Sequence, residues 1–577
     1  MKYLIGLSFL VFMSISVFAQ NVELSNKLIQ KFETAQAKAL SKDAASHHRM
    51  WLTPILTEVV INWNNLTPEA KDFFNVYRNR PVFNGTVLTI SDDNFTYHYT
   101  LDGGPGESVD PTDENANGIP DYVEMMSEKF HIVYMMYHTA TGLTVPPSDG
   151  TMGGDDKYDI YISGDAAGAG VYGWVMAETE VGDNPNSTTL TEVDAYSSFM
   201  VMRNNYAGFG DETVSLNVTA AHEYMHAIQN GYAISMEAWF KEICATWSEE
   251  FVFPGSDDNF QYLMGLFGKP DVALNLMDGE EPSLNGHWYS SWIFAKYLTE
   301  QTGNGIIKNI YERCINEYAV DAINTELSTN WETNFETMFI KFSIANVLMT
   351  NDANFVPYAY DRAADYDTYI MNNGGFGFEN NLSPINYTGT PISWNSQTDG
   401  NDQLMRLSAD YFKFTTNSDF SIAFNANTNQ AKLILVKGTA NSVSYAMCNA
   451  NESISVVDHA DWSLFIPIVI RLDKDVQDIE ALNYTLTFDD ASTGINEMSS
   501  NISVFPNPAS DFVMVNFDNS NKYDVSLIDI TGKKIIRQES NNQNCKIDVR
   551  NINDGIYFLQ IMQNNVVVKT QKIVISH

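Results

Sequence analysis

The spacing of apolar residues changes along the chain, and each change marks a different kind of element. From Leu24 to Leu40 they recur at three- and four-residue intervals, which predicts a helix. Between 86 and 200 polar and apolar positions alternate instead, as in Phe95-Thr96-Tyr97-His98-Tyr99-Thr100 and from Lys157 to Ile162. That two-residue period predicts half-buried strands. The helical period returns from 205 to 350. Val218, Ala221, Met225 and Ile228 form one stripe, and a second helix runs from about Glu237 to Phe251, stopped by Pro254. Tyr289 to Tyr297 and Ile306 to Cys314 repeat the pattern on either side of Thr302-Gly303-Asn304-Gly305. From 385 to 490 short alternating runs, such as Phe420 to Phe424, Lys432 to Val436 and Tyr484 to Phe488, predict a β-sandwich. Ser492 to Asn501 reads as a linker. Beyond it Phe512 to Val515, Val525 to Leu527 and Ile556 to Phe558 read as strands of a second, smaller sandwich over 501–577. The fold class expected is α+β.

The start of the chain reads differently. Lys2, an apolar run from Tyr3 to Met13 and Val17-Phe18-Ala19 before Gln20 make residues 1–19 a secretory signal peptide, with Ala19 the cleavage residue. No later run is long enough to span a bilayer, so no transmembrane segment is expected. Residues 20–85 carry no chemical motif and are either a pro-segment or an N-terminal extension. With 33 basic against 72 acidic residues and a net charge of −39, nucleic acid and anionic membrane are poor partners. The cysteines, Cys244, Cys314, Cys448 and Cys545, are too few for a disulfide scaffold. A Cys244–Cys314 bridge and free buried thiols both remain open.

The chemistry centres on His222-Glu223-Tyr224-Met225-His226. On a helix the two histidines stand one above the other and can grip one Zn²⁺, while Glu223 serves as general base. Thr213 and Ser215 offer N-caps, and Asn230-Gly231 a C-terminal stop, placing the pair in the last turns of a half-buried helix. A catalytic zinc needs a third protein ligand. The metzincin extension fails, because Gln229 and Tyr232 stand where that motif has glycine and histidine. Instead, Trp239 to Glu249 resembles the W-x-x-E-x-x-A/T-x-W/Y-x-E helix of gluzincins. The resemblance implies that Glu242 is the third zinc ligand and that Thr246 and Glu249 support it.

Thr219-Ala220-Ala221-His222 through Gln229-Asn230-Gly231-Tyr232 is similar to the A-A-H-E-x-x-H-A-I-Q core of a bacterial family of secreted gluzincin-type metallopeptidases. Asn117 to Tyr122, Tyr158 to Tyr161 and Tyr172-Gly173 match its upstream markers, so the likeness covers roughly 85–350. It implies a gluzincin-like catalytic domain over 86–350 with a sheet-bearing N-terminal half and a helical C-terminal half. The function expected is that of a zinc metalloendopeptidase, a hydrolase of protein or peptide substrates. His287 and Tyr289 are candidate catalytic donors to the oxyanion, with aromatic packing around Trp288 the alternative. The competing function is a surface-binding or adhesive protein on an inactive peptidase scaffold, carried by the 385–490 sandwich.

A second metal site is expected at Asp113–Glu124. Asp113, Asn115, Asn117, Asp121 and Glu124 supply oxygens at positions 1, 3, 5, 9 and 12 of a calcium loop. Gly118 stands at position 6, and the Ile119 carbonyl at position 7. Bound Ca²⁺ would be structural; an Asx-rich turn capping the next helix is the alternative. At the C-terminus, Val504 to Ala509, Leu527 to Lys533 and Asp554 to Leu559 resemble, in order, the motifs of a type IX secretion sorting domain. That resemblance implies the type IX secretion machinery as partner, and release or tethering at the surface of a Gram-negative cell.

Overall fold

The computed structural model describes all residues except 1, 41–51, 105, 208, 277–286, 375–381, 401–403, 476–479, 492–501, 518–521, 530–532, 541 and 564–565. Three helices lead the chain: α1 (Lys2–Ala39), α2 (Thr53–Ile61) and α3 (Pro68–Arg78). A five-stranded sheet follows, built of β1 (Leu88–Ser91), β2 (Phe95–Tyr99), β3 (Tyr158–Ser163), β4 (Gly173–Gly182) and β5 (Ala195–Arg203), in the order β1-β2-β3-β5-β4. β2, β3 and β5 run parallel, while β1 and the far edge β4 are antiparallel to their neighbours.

The alternation predicted half-buried strands, but both faces of the sheet are covered. Met200 and Met202 of β5 pack into the core beneath α4 (Asp121–Tyr134) and α6 (Glu212–Tyr232), and Phe199 and Val201 face α1–α3. The polar side is buried too. His98 Nε2 lies 2.6 Å from Asp159 Oδ1, and Arg80, just past α3, pairs with Asp149, Asp159 (2.7 Å) and Glu178 (2.8 Å). A cation delivered by the N-terminal segment is what lets these carboxylates leave water. A short α5 (Gly164–Ala169) links β3 to β4.

α6 differs from the expected helix in three respects. It starts at Glu212, capped by Asp211, whose carboxylate accepts from the N–H groups of Thr213 and Val214, so neither Thr213 nor Ser215 is the cap. It also runs through Gly231 to Tyr232. Gly231 is a packing glycine rather than a stop: a Cβ there would meet Pro147 Cδ at 3.1 Å and Asn184 Nδ2 at 3.2 Å. Nor is the helix half-buried, since every residue from Val218 to Tyr232 is enclosed. α7 (Ala238–Val252) packs beside it. The helical region continues with α8 (Leu263–Phe267), α9 (His287–Ser290), α10 (Trp292–Thr302), α11 (Ile306–Cys314), α12 (Ala319–Asn330), α13 (Phe335–Leu348) and α14 (Ala363–Asn372). The helix expected over 289–297 is thus broken at Ser291. Cys244 and Cys314 are free, buried thiols.

The following sandwich has a five-stranded sheet ordered β11-β10-β13-β8-β6 and a four-stranded one ordered β12-β9-β14-β7. Its strands are β6 (Ser383–Tyr387), β7 (Ile392–Asn395), β8 (Ser408–Thr416), β9 (Phe420–Ala426), β10 (Ala431–Thr439), β11 (Ser442–Asn449), β12 (Glu452–Val456), β13 (Leu464–Arg471) and β14 (Tyr484–Asp490). Phe412, Phe424, Leu433 and Leu486 fill the space between the sheets. On the outer face of the larger sheet Tyr411, Ile434, Val436 and Ile468 merge with the core of the helical region. Arg406 reinforces the junction, its Nε donating to Asn275 Oδ1 at 2.9 Å.

The C-terminal unit holds β15 (Ser503–Phe505), β16 (Phe512–Asn516), β17 (Tyr523–Asp529), β18 (Lys534–Ser540), β19 (Asn544–Asp548), β20 (Gly555–Gln563) and β21 (Val566–Ile575), in sheets of three and four strands around their own core. The linker expected at Ser492–Asn501, and Ile530, Thr531 and Gly532 of the second sorting motif, lie outside the described residues. Among the described residues no helix is long and apolar enough to cross a membrane.

Candidate metal centre

α6 and α7 meet at the histidine pair. His222 Nε2 stands 3.4 Å from Glu242 Oε2 and His226 Nε2 stands 3.3 Å from Glu242 Oε1. Among the described residues this is the one group of three His, Cys, Asp or Glu whose donor atoms all lie within 4.8 Å of one another. The short connection from Tyr232 to Ala238 reverses the chain so that Glu242, one turn into α7, faces both imidazoles.

Each imidazole is held from behind. Glu249 Oε1 lies 2.9 Å from His222 Nδ1, and Gln229 Oε1 lies 2.8 Å from His226 Nδ1. Gln229 is itself fixed, its amide donating to the Lys241 carbonyl at 2.9 Å and the Tyr311 hydroxyl at 2.8 Å. Both rings therefore point Nε2 at Glu242. Thr246 is buried on α7, but its Oγ1 makes no hydrogen bond among the described residues, so Glu249 is the one of the two expected supports that touches a histidine. Burial pushes His226 down to about 3 and keeps it a neutral donor. Two imidazoles and a carboxylate form a donor set suited to a divalent transition metal.

Glu223 is not one of the three gathered donors and is held from the N-terminal side. It is fully buried, which pushes its carboxyl up to about 8, and its Oε2 accepts from the Thr53 hydroxyl at 2.8 Å. Thr53 in turn accepts from the Val175 N–H of β4 at 3.0 Å. Tyr289 stands beside the centre, its ring centroid 6.4 Å from that of His222 and 5.3 Å from that of Tyr262. His287 is buried as well, and its Nε2 makes no hydrogen bond among the described residues. Its buried imidazole bonds the Gly265 backbone, and burial lowers it to about 4. Trp288, between these two candidates, helps wall a cavity of about 270 Å³ beside His226. Thr53 went unnoticed because it belongs to no motif; the pairing spans 170 positions of sequence.

The Asp113–Glu124 loop has a different character. Glu124 accepts from the side-chain amides of Asn115 (2.8 Å) and Asn117 (2.6 Å), while Asp113 accepts from the N–H groups of Asn117 and Gly118. Asp121 turns to the N–H of Glu114, and Asn117 Oδ1 accepts from the Ile119 N–H. Gly118 takes φ +89°, the left-handed conformation that the turn requires. In this network the side chains bond one another and the loop backbone, and the carboxylates are not gathered as the histidine–glutamate group is.

Residues 503–576 match the family model described as the secretion system C-terminal sorting domain. The small C-terminal unit is thus a type IX secretion sorting domain, and the protein is one that this machinery handles, secreted or at the cell surface. No curated protein matches the chain. Among solved structures, PorZ, a surface component of the type-IX secretion system of Porphyromonas gingivalis, is 20% identical over 16% of this chain and 14% of its own, with a TM-score of 0.13. β-Glucuronidases of Faecalibacterium prausnitzii (11% identity, 29% of this chain and 36% of that one, TM-score 0.13) and Ruminococcus gnavus (10%, 29% and 34%, TM-score 0.13) also align. The chain spans barely a third, or less, of these structures, and at such scores the likeness carries no argument.

Proposed function

We propose that the protein is a secreted zinc metalloendopeptidase of gluzincin type, with His222, His226 and Glu242 as ligands and Glu223 as general base. The observation that carries this reading is the spacing of the donors. Two ligands on a tetrahedral zinc with bonds of ~2.0–2.1 Å stand ~3.3–3.4 Å apart, and the separations here are 3.3 and 3.4 Å. Zinc bound there would supply Lewis acidity and a water acidified to a pKa near ~7. The chain does the rest. Glu223 takes the proton from the attacking water and returns it to the leaving amine. Glu249 and Gln229 keep the imidazoles in register. Tyr289, whose ring stands 6.4 Å from that of His222, and His287, whose Nε2 is buried and makes no hydrogen bond among the described residues, are the two candidate donors to the oxyanion. The test is the zinc content of the secreted protein together with its digestion of casein or gelatin; a metal-free protein, or one inert after full processing, overturns the reading.

The Asp113–Glu124 loop is proposed as a structural calcium site. Its support is the order of oxygen-bearing side chains and the left-handed Gly118; the Asn115 and Asn117 amides would have to turn their oxygens inward, displacing their bonds to Glu124. Export through the periplasm of a Gram-negative cell, with loss of residues 1–19, completes the proposal.

A further inference from the structure

The N-terminal helices, which carry no motif, are built into the candidate metal centre. Thr53 opens α2, and its hydroxyl lies between the general base and the free side of the sheet: it donates to Glu223 Oε2 and accepts from the Val175 N–H. Among the described residues β4 pairs with β5 alone, so that N–H points outward from the sheet edge, where an extended chain approaching Glu223 would have to run. The cavity beside the histidines is walled by Lys31, Thr53 and Glu58 on one side and by His226, Glu242 and Trp288 on the other. Lys31 and Glu58 close that wall with an ion pair of 2.7 Å. Glu223 and Glu242 are 0% exposed, and His226 and Thr53 2%. No protein substrate reaches Glu223 with α2 in this position. Thr53 also offers it a hydroxyl, which has no bond to hydrolyse.

Two further attachments keep the segment in place. Phe32, Leu56 and Val59 pack with Trp174, Met176 and Val201 on the outer face of the sheet, and Arg80 is locked among Asp149, Asp159 and Glu178. The chain then crosses to β1, and on the way Val82 is 87% exposed, beside the buried Phe83.

We propose that residues 20–78, the part of α1–α3 that remains once the signal peptide is lost, are an intramolecular inhibitor of this centre, with Thr53 as the plug over Glu223, and that release of the segment near Val82 opens the site. The inference rests on the reading of the centre as a metal-dependent hydrolase, which the test separates from it. A specific protease site is inserted after Val82 in the full chain, which is loaded with Co²⁺ and titrated with acetohydroxamate while the visible spectrum is followed. The uncut protein should show no spectral change. After cutting and removal of the freed segment by gel filtration, the spectrum should shift on addition of hydroxamate, and hydrolysis of a fluorogenic peptide should rise at least ~10²-fold. Thr53→Ala in the uncut chain, which deletes two buried hydrogen bonds and no backbone, should raise hydrolysis at least ~10-fold. A metal-bearing uncut protein that binds hydroxamate as well as the cut form overturns the inhibitor alone. So does a cut, stripped protein that still excludes hydroxamate. Failure to bind metal in either form overturns the hydrolase reading, and the inhibitor with it.

Discussion

Glu249 grips His222 from behind: its Oε1 lies 2.9 Å from Nδ1, two turns of α7 beyond Glu242, which faces the other nitrogen of the same ring. One helix thus supplies both a candidate ligand and the brace of another.

From that relationship, Glu249→Gln should weaken zinc binding by about 10–100-fold, the usual cost of losing such a partner, measured by competition with a chromophoric chelator. Its neighbour Glu250 serves a different end. It accepts from Tyr366 OH at 2.9 Å and pairs with Lys296 at 3.0 Å, so Glu250→Ala should keep its zinc but lose about 3 kcal/mol of stability in denaturant unfolding.

Glu223→Gln should retain zinc and fold, with hydrolysis by the segment-free protein lowered at least ~10²-fold. Glu242→Ala should lose the metal. Glu237→Ala should not, because that carboxylate is spent on the N–H of Ala319 (2.6 Å) and the indole of Trp239 (3.2 Å). Full zinc occupancy in Glu242→Ala contradicts the ligand assignment.

The calcium loop yields a thermal prediction. Calcium at a hundredfold excess over Kd should stabilise the native state by about 2.7 kcal/mol, and Asp113→Ala with Glu124→Ala should abolish that gain while changing little in chelator. Identical melting with and without calcium disposes of the site.

Asp410 gives the pH dependence. Burial, with Asp271 nearby, pushes its carboxyl up to about 7, although the Tyr484 hydroxyl bonds it. The folded chain therefore holds this proton more tightly than the unfolded one, whose aspartates titrate near ~4. The stabilisation is complete below that value and is lost as pH rises through about 7. Asp410→Asn should flatten the fall in melting temperature between pH ~4 and ~7. An unchanged slope shows that other groups set it.

Deleting 501–577 should leave the protein in the periplasm with its signal peptide removed. Normal release of the truncated protein into the medium contradicts export through the sorting domain.

What the sequence discloses and what it hides divide along distance. His222 and His226 are legible because a four-residue spacing fixes their geometry on any helix, and the small strands from Phe512 to Ile575 because their alternation is local. Glu242 came from a resemblance in helix pattern. Gly231 misled, since its value lies in the approach of Pro147 and Asn184 from far along the chain. Thr53 and Arg80 were invisible for the same reason: helical periodicity in 20–80 predicts that those helices will bury a face, and says nothing about which surface receives it.

The outer face of the larger sandwich sheet shares its apolar contacts with the helical region, through Tyr411, Ile434, Val436 and Ile468. A boundary easily drawn in sequence near residue 380 is therefore no boundary in energy. Calorimetry should find these two regions unfolding in one cooperative transition, and a chain trimmed of its sandwich should aggregate through the surface left bare, so the scaffold behind the centre extends well past its last helix.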